Sequence, residues 1–279
     1  MASMQRKGIV LTVRTRRAGA LLVALCLVGI GVAAATTEPH TGPAATATAH
    51  TEPTATSVRP RASAAPPAGS STVHPAAQGR DALVALAALR VHDSPTMAGY
   101  QRDLFGYRAV DLDRNGCDTR NDILRRDLHD VVLKPGTHDC VVLSGTLTDP
   151  YSGTTITFTR GTSTSDDVQI DHVVALADAW ASGAAAWDQA TRYRLGNDPL
   201  NLLAVSGPLN TQKSDGNAAR WLPPNVAYRC AYVARQIGVK YTYGLTVTTA
   251  ERTAMAGVLA GCPDQPLPSG STVPAPAAG

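Results

Sequence analysis

Apolar and polar positions change period several times along the chain, and the changes mark the predicted elements. Residues 81–90 (Asp-Ala-Leu-Val-Ala-Leu-Ala-Ala-Leu-Arg) predict a first helix with an exit loop over 91–99. Ile123, Leu124 and Leu128 at helical spacing predict a second helix over 121–130, followed by strands at 131–133 and 140–143 across a turn at Pro135-Gly136. Residues 154–160 alternate as a half-buried strand, 161–167 form a polar connection, and 168–174 are another β-rich run. Helices are expected at 175–186 and 188–195, a short strand at 202–205, and a helix at 209–221 stopped by Pro223-Pro224. Ala227, Ala231, Val233, Ala234 and Ile237 place a helix over 225–238, and 249–260 opens like a capped helix. The class is α+β.

The flanks follow a different rule. Arg6, Lys7, Arg14, Arg16 and Arg17 precede an apolar run of about 15 residues that ends in Ala33-Ala34-Ala35, so residues 1–35 read as a signal peptide cleaved after Ala35. The run falls short of the roughly 20 residues of a spanning helix, which weighs against an uncleaved anchor or stable membrane association. Cys26 follows Leu25 inside the run, a poor site for lipid attachment. Residues 36–80 are dominated by Ala, Thr, Pro and Ser and read as a disordered linker, and 263–279 as a tail of the same kind. A single domain is left at 81–262. The whole chain of 279 residues carries +3, but from Asp81 onward 17 Lys and Arg face 20 Asp and Glu, a balance of −3. The basic character of the precursor is therefore no argument for a nucleic-acid partner.

Four cysteines lie in the domain: Cys117, Cys140, Cys230 and Cys262. An even number in an exported chain points to two disulfides, and pairing Cys117 with Cys140 and Cys230 with Cys262 closes the shortest loops. Each closure is worth about 3 kcal/mol in the loop-entropy picture. A zinc site is the alternative, disfavoured by the lack of a Cys-x-x-Cys pair.

Chemistry concentrates in Gln169-Ile170-Asp171-His172-Val173-Val174-Ala175-Leu176, then Asn201-Leu202-Leu203-Ala204-Val205, then Asn210-Thr211-Gln212-Lys213-Ser214-Asp215. A neutral imidazole can take a proton from water, and carboxylate and amide oxygens suit a hard cation. Together the three segments resemble the HNH, or His-Me finger (ββα-metal), endonucleases. The wider region, with Ser144-Gly145-Thr146-Leu147 and Asp149-Pro150-Tyr151-Ser152-Gly153 before and Trp221-Leu222-Pro223-Pro224-Asn225 after, resembles the exported bacterial branch related to the C-terminal domain of GmrSD-type restriction enzymes.

The resemblance implies a ββα-metal finger, here expected within the mainly helical domain that the cysteine count reads as disulfide-stapled. It also implies a secreted, metal-dependent endonuclease acting on DNA or RNA. In that reading His172 is the general base, Asp171 and Asn210 hold Mg²⁺ or Mn²⁺, Asn201 braces the histidine's loop, and Lys213 meets a phosphate. The last position of the family pattern is Asn210 instead of a histidine, which makes the metal less specific.

Asp111-Leu-Asp113-Arg-Asn115-Gly116 followed by Asp122 partly matches a calcium-binding loop. Three readings stay open: a Ca²⁺ site, a loop closed by its own hydrogen bonds, or a wall of the cleft in which Arg114 and Arg120 contact phosphate. Trp180, Trp187, Trp221 and the tyrosines from Tyr228 to Tyr243 suit a core better than base stacking. Two further function classes are weighed against the nuclease. One is a catalytically silent binding module of the same fold, favoured by the weak domain charge. The other is a different secreted hydrolase, for which the sequence has neither H-E-x-x-H nor G-x-S-x-G.

Overall fold

A computed structural model describes residues 81–107, 111 and 113–268. The expected signal peptide, linker and most of the tail lie outside these residues. The elements are α1 (Ala82–Ala88), α2 (Thr119–Asp127), β1 (His129–Leu133), β2 (Val142–Thr148), β3 (Thr155–Thr159), β4 (Val168–His172), α3 (Leu176–Ala181), α4 (Gln189–Asn197), β5 (Leu202–Ser206), α5 (Gly207–Lys213), α6 (Arg229–Thr242) and α7 (Thr249–Leu259). Short 3-10 turns cover Arg102–Phe105, Ala184–Ala186 and Val226–Tyr228.

Three apolar clusters hold these elements together. In the first, α1 buries Ala82, Ala85 and Leu86 with Tyr232, Val233 and Ile237 of α6 and Met255 and Leu259 of α7. Both outer helices start on side-chain caps: the Asp81 carboxylate accepts from Leu83 N, and Thr248 Oγ1 accepts from Glu251 N. In the second, Phe105, Leu176, Ala179, Trp180, Leu195 and Val239 pack around the connection from β4 to β5. The third lies under the sheets, where Ile123 and Leu124 of α2 meet Leu147, Phe158, Val168 and Ala204. Trp180 is itself buried, as expected of a core aromatic.

β1, β2 and β3 form an antiparallel sheet, while β4 and β5 form a separate antiparallel pair with Ile170 opposite Ala204, Asp171 opposite Leu203 and His172 opposite Leu202. The chain passes from β5 directly into α5, which packs on both strands. This joint is tight: a Cβ on Gly207 would stand 1.8 Å from the Asp166 carbonyl oxygen, so only glycine fits there. Buried Asp149 accepts from Tyr151 N and from Ser206 N, tying the β2–β3 turn to the end of β5.

The disulfides pair as expected, Cys117 with Cys140 and Cys230 with Cys262, spanning 23 and 32 positions. Several boundaries move. β2 runs five residues past its predicted end because Ser144 to Thr148 pair with β3 throughout. The helix expected at 175–186 breaks at Gly183 (φ +132°). The helix expected at 209–221 ends at Lys213, where Ser214 turns left-handed (φ +53°) and the chain closes into a separate turn with Trp221 N on Asn217 O. The expected tail also starts later than 263: Leu267 is buried in the first cluster and Ala82 N donates to Gln265 O, so one apolar side chain and a backbone pairing fix residues 263–268 to the domain.

Candidate active-site cleft

Successive side chains on a strand leave it on opposite faces, and this separates the Asp-His pair at the end of β4. His172 lines a cleft of about 880 Å³ together with Tyr107, Gln169, Gly196, Asn210, Arg102, Arg120 and Arg160. Asp171 faces the interior. Three carboxylates, Asp111, Asp118 and Asp166, balance the three arginines of the lining.

His172 is buried and its Nε2 lies 2.9 Å from the Gly196 carbonyl oxygen. A carbonyl only accepts, so the neutral ring carries its proton on Nε2 and keeps the Nδ1 lone pair. Burial is the main reason its pKa falls to about 3; the Gly196 carbonyl opposes the fall, and the charges of Arg102 and Lys213 add to it. Gly196 is required for this geometry, because a Cβ there would stand 2.4 Å from the Phe105 carbonyl oxygen. That close approach seats the Arg102–Phe105 turn against α4. Arg102 then lies 4.5 Å over the Tyr107 ring, which meets His172 edge-on at 5.9 Å between centroids.

Asn201 is fully buried, and it grips the two residues after the histidine: its Oδ1 accepts from Val174 N at 2.8 Å, its Nδ2 donates to Val174 O, and its backbone carbonyl accepts from Val173 N. Asn210 Nδ2 donates to Gln169 Oε1 at 2.9 Å, which leaves the amide oxygen for the cleft. Lys213 is not a surface cation. It is 2% exposed, and its Nζ donates to Asp171 Oδ1 and to the His172 carbonyl oxygen, each at 2.9 Å. Asp171 Oδ2 accepts from Tyr151 OH at 2.5 Å. Burial pushes the Asp171 carboxyl up against the pull of Lys213 and Tyr151. With both oxygens taken and the residue turned from the cleft, Asp171 and Asn210 do not fit the expected metal-ligand pair in this arrangement.

Arg120 reaches the cleft with its Nη2 on the carbonyls of Ser165 and Val168, whereas Arg114 is exposed and outside the lining. The described part of the acidic loop is closed by its own groups: Asp111 accepts from Gly116 N, and Asn115 Nδ2 donates to Asp113 and Asp122. Among the described residues no cluster of three or more His, Cys, Asp or Glu is placed to hold a metal. Pattern reading missed Tyr151, Gln169 and Arg102 as parts of the site. Gln169 and Tyr151 stand inside the motif segments, and Arg102 has no motif around it.

The fold and cleft define a mixed helix-and-sheet domain with a neutral histidine at an arginine-bearing wall. The chain belongs to the family of GmrSD restriction endonucleases, C-terminal domain, which matches residues 118–258. An uncharacterized secreted protein of Arthroderma benhamiae is 37% identical over 179 residues, covering 63% of this chain and 82% of that relative. No solved structure matches the chain. Among the described residues no helix is long and apolar enough to cross a membrane.

Proposed function

We propose that this chain is a secreted endonuclease that hydrolyses phosphodiester bonds of nucleic acid, DNA in the first place, with His172 as general base. The observation that carries this reading is the setting of the histidine: neutral by burial, fixed through Nε2 on Gly196, and left with an unprotonated Nδ1 at a wall shared with Arg102, Arg120 and Arg160. Proton abstraction from water needs such a neutral imidazole, and guanidinium groups match phosphate oxygens. The succession of β4, β5 and α5 supports the ββα finger reading, with Asn201 bracing the histidine's loop. Secretion rests on residues 1–35 and on the description of the Arthroderma relative as secreted.

A divalent cation, Mg²⁺ or Mn²⁺, belongs to this reading through the family resemblance and would supply charge neutralisation at the phosphate. Asn210 is the oxygen donor that the cleft offers it. Full-length chain incubated with plasmid DNA or RNA is expected to cleave DNA with Mg²⁺ or Mn²⁺ and not with EDTA. No cleavage of either substrate under any metal would overturn the nuclease reading in favour of a binding module, for which the charge-balanced cleft is the argument.

Arg102 supplies a second, quantitative test. Arg102→Ala is expected to lower the slope of log affinity against log salt for a duplex oligonucleotide by about 1, as for the loss of one phosphate contact. An unchanged slope would show that Arg102 does not meet phosphate.

A further inference from the structure

The interior face of β4 carries a polar network that the cleft chemistry does not use directly. Lys213, Asp171 and Tyr151 are all buried and joined by hydrogen bonds: Tyr151 OH to Asp171 Oδ2 at 2.5 Å, Lys213 Nζ to Asp171 Oδ1 at 2.9 Å, and Lys213 Nζ to the His172 carbonyl at 2.9 Å. Tyr151 is held by the rings of Trp221 and Tyr232 at 5.0 and 5.7 Å between centroids. The ammonium thus joins the last residue of α5 to the last residue of β4. The Asn201 grip then fixes the next two residues, so the backbone of His172 is held from both sides.

We infer that Asp171 is a positioning residue that seats Lys213 on the His172 carbonyl and thereby aims the ring, and that it is not a metal ligand. The inference deepens the nuclease reading and rests on it for the role of His172. A cation on Asp171 would have to displace a buried ammonium that also satisfies a backbone carbonyl. Removing either partner of a buried pair strands the other charge, so the two should act as one unit.

The test uses full-length wild type, Asp171→Asn, Lys213→Met, the double variant and Tyr151→Phe, assayed for kcat, KM and the Mn²⁺ midpoint of cleavage. Each single charge variant is expected to lower kcat by about tenfold or more, with KM and the Mn²⁺ midpoint within about twofold of wild type, and the double variant is expected to lose no more than the worse single. Tyr151→Phe, which keeps the ring packing, is expected to lower kcat with the midpoint unmoved. A Mn²⁺ midpoint raised about tenfold in Asp171→Asn or Tyr151→Phe, with wild-type kcat at saturating Mn²⁺, would make Asp171 a ligand and overturn the inference. Thermal unfolding separates this question from the nuclease reading. Even if wild type cleaves nothing, the two charge variants should each melt on the order of 10 °C lower, and the double variant no lower than the worse of them. Additive losses would show that the two residues act apart and would overturn the network.

Discussion

Replacing His172 by alanine is expected to lower kcat for DNA cleavage by about 10²–10⁴-fold, the range supplied by a positioned general base. KM should change little, because the proposed mechanism gives the ring the attacking water and leaves phosphate binding to the arginines. The cause lies in the tautomer. The Gly196 carbonyl accepts a hydrogen bond from Nε2–H, so Nδ1 keeps the lone pair, and burial keeps the ring uncharged down to about pH 3. The acid limb of kcat/KM should therefore show no inflection near 6.5, the ordinary value of an exposed histidine. A His172→Ala protein with wild-type kcat, folded by circular dichroism, would remove the histidine from the mechanism.

Lys240→Met is expected to cost about 3–5 kcal/mol of stability, read as a fall in Tm on the order of 10 °C. Lys240 is fully buried on α6 and pairs with Asp178 of α3 at 2.9 Å and Glu251 of α7 at 2.8 Å. Burial opposes its charge, yet the two carboxylates together hold its pKa above the ordinary lysine value. One ammonium cannot fully serve both. Burial, followed by the neighbouring Asp178 charge, raises Glu251 to about 7 against the pull of Lys240.

The sign of the pH effect follows. A carboxyl raised from 4.5 to about 7 is protonated more readily in the fold, so its contribution to stability is full below pH 4.5 and is lost as pH rises towards 7. Relative to wild type, Glu251→Gln should gain up to about 3 kcal/mol in urea unfolding between pH 4.5 and pH 8. His172 works in the opposite direction. Its pKa is depressed in the fold, so its contribution is present above 6.5 and is lost as pH falls towards 3. In wild type the two trends offset each other between about pH 4.5 and 6.5, and Glu251→Gln should expose the histidine's share as a loss of stability on acidification. A flat difference between variant and wild type across that range would show that Glu251 is ionised throughout.

Much of the architecture was legible because it is local. Helix-forming composition located α1, helical spacing α2 and α6, a capped start α7 and alternation β3, and loop length alone selected the two disulfide pairs. Element ends were less legible where a long-range contact sets them. α5 stops at Lys213 as its side chain enters the interior, and residues 263–268 join the domain through Leu267. The segment of the candidate site was visible as the succession of Asp171, His172, Asn201, Asn210 and Lys213, but the direction of each side chain was not.

By itself, then, the sequence determined the α+β class and the covalent pairing, which follow from periodicity and spacing along the chain, while the family resemblance of its three motif segments pointed to the neighbourhood in which the chemistry should lie. Tertiary structure decided that His172 faces the cleft while Asp171 turns inward, that Lys213 meets Asp171 across 42 positions, and that Arg102 and Tyr107 come to the histidine through the close packing at Gly196. The physical reason is that strand register and the packing of α5 and α4 on the β4–β5 pair assign faces and partners. A pattern of residue types fixes the period of a strand, but only its neighbours fix which side becomes the wall of a cleft and which becomes core.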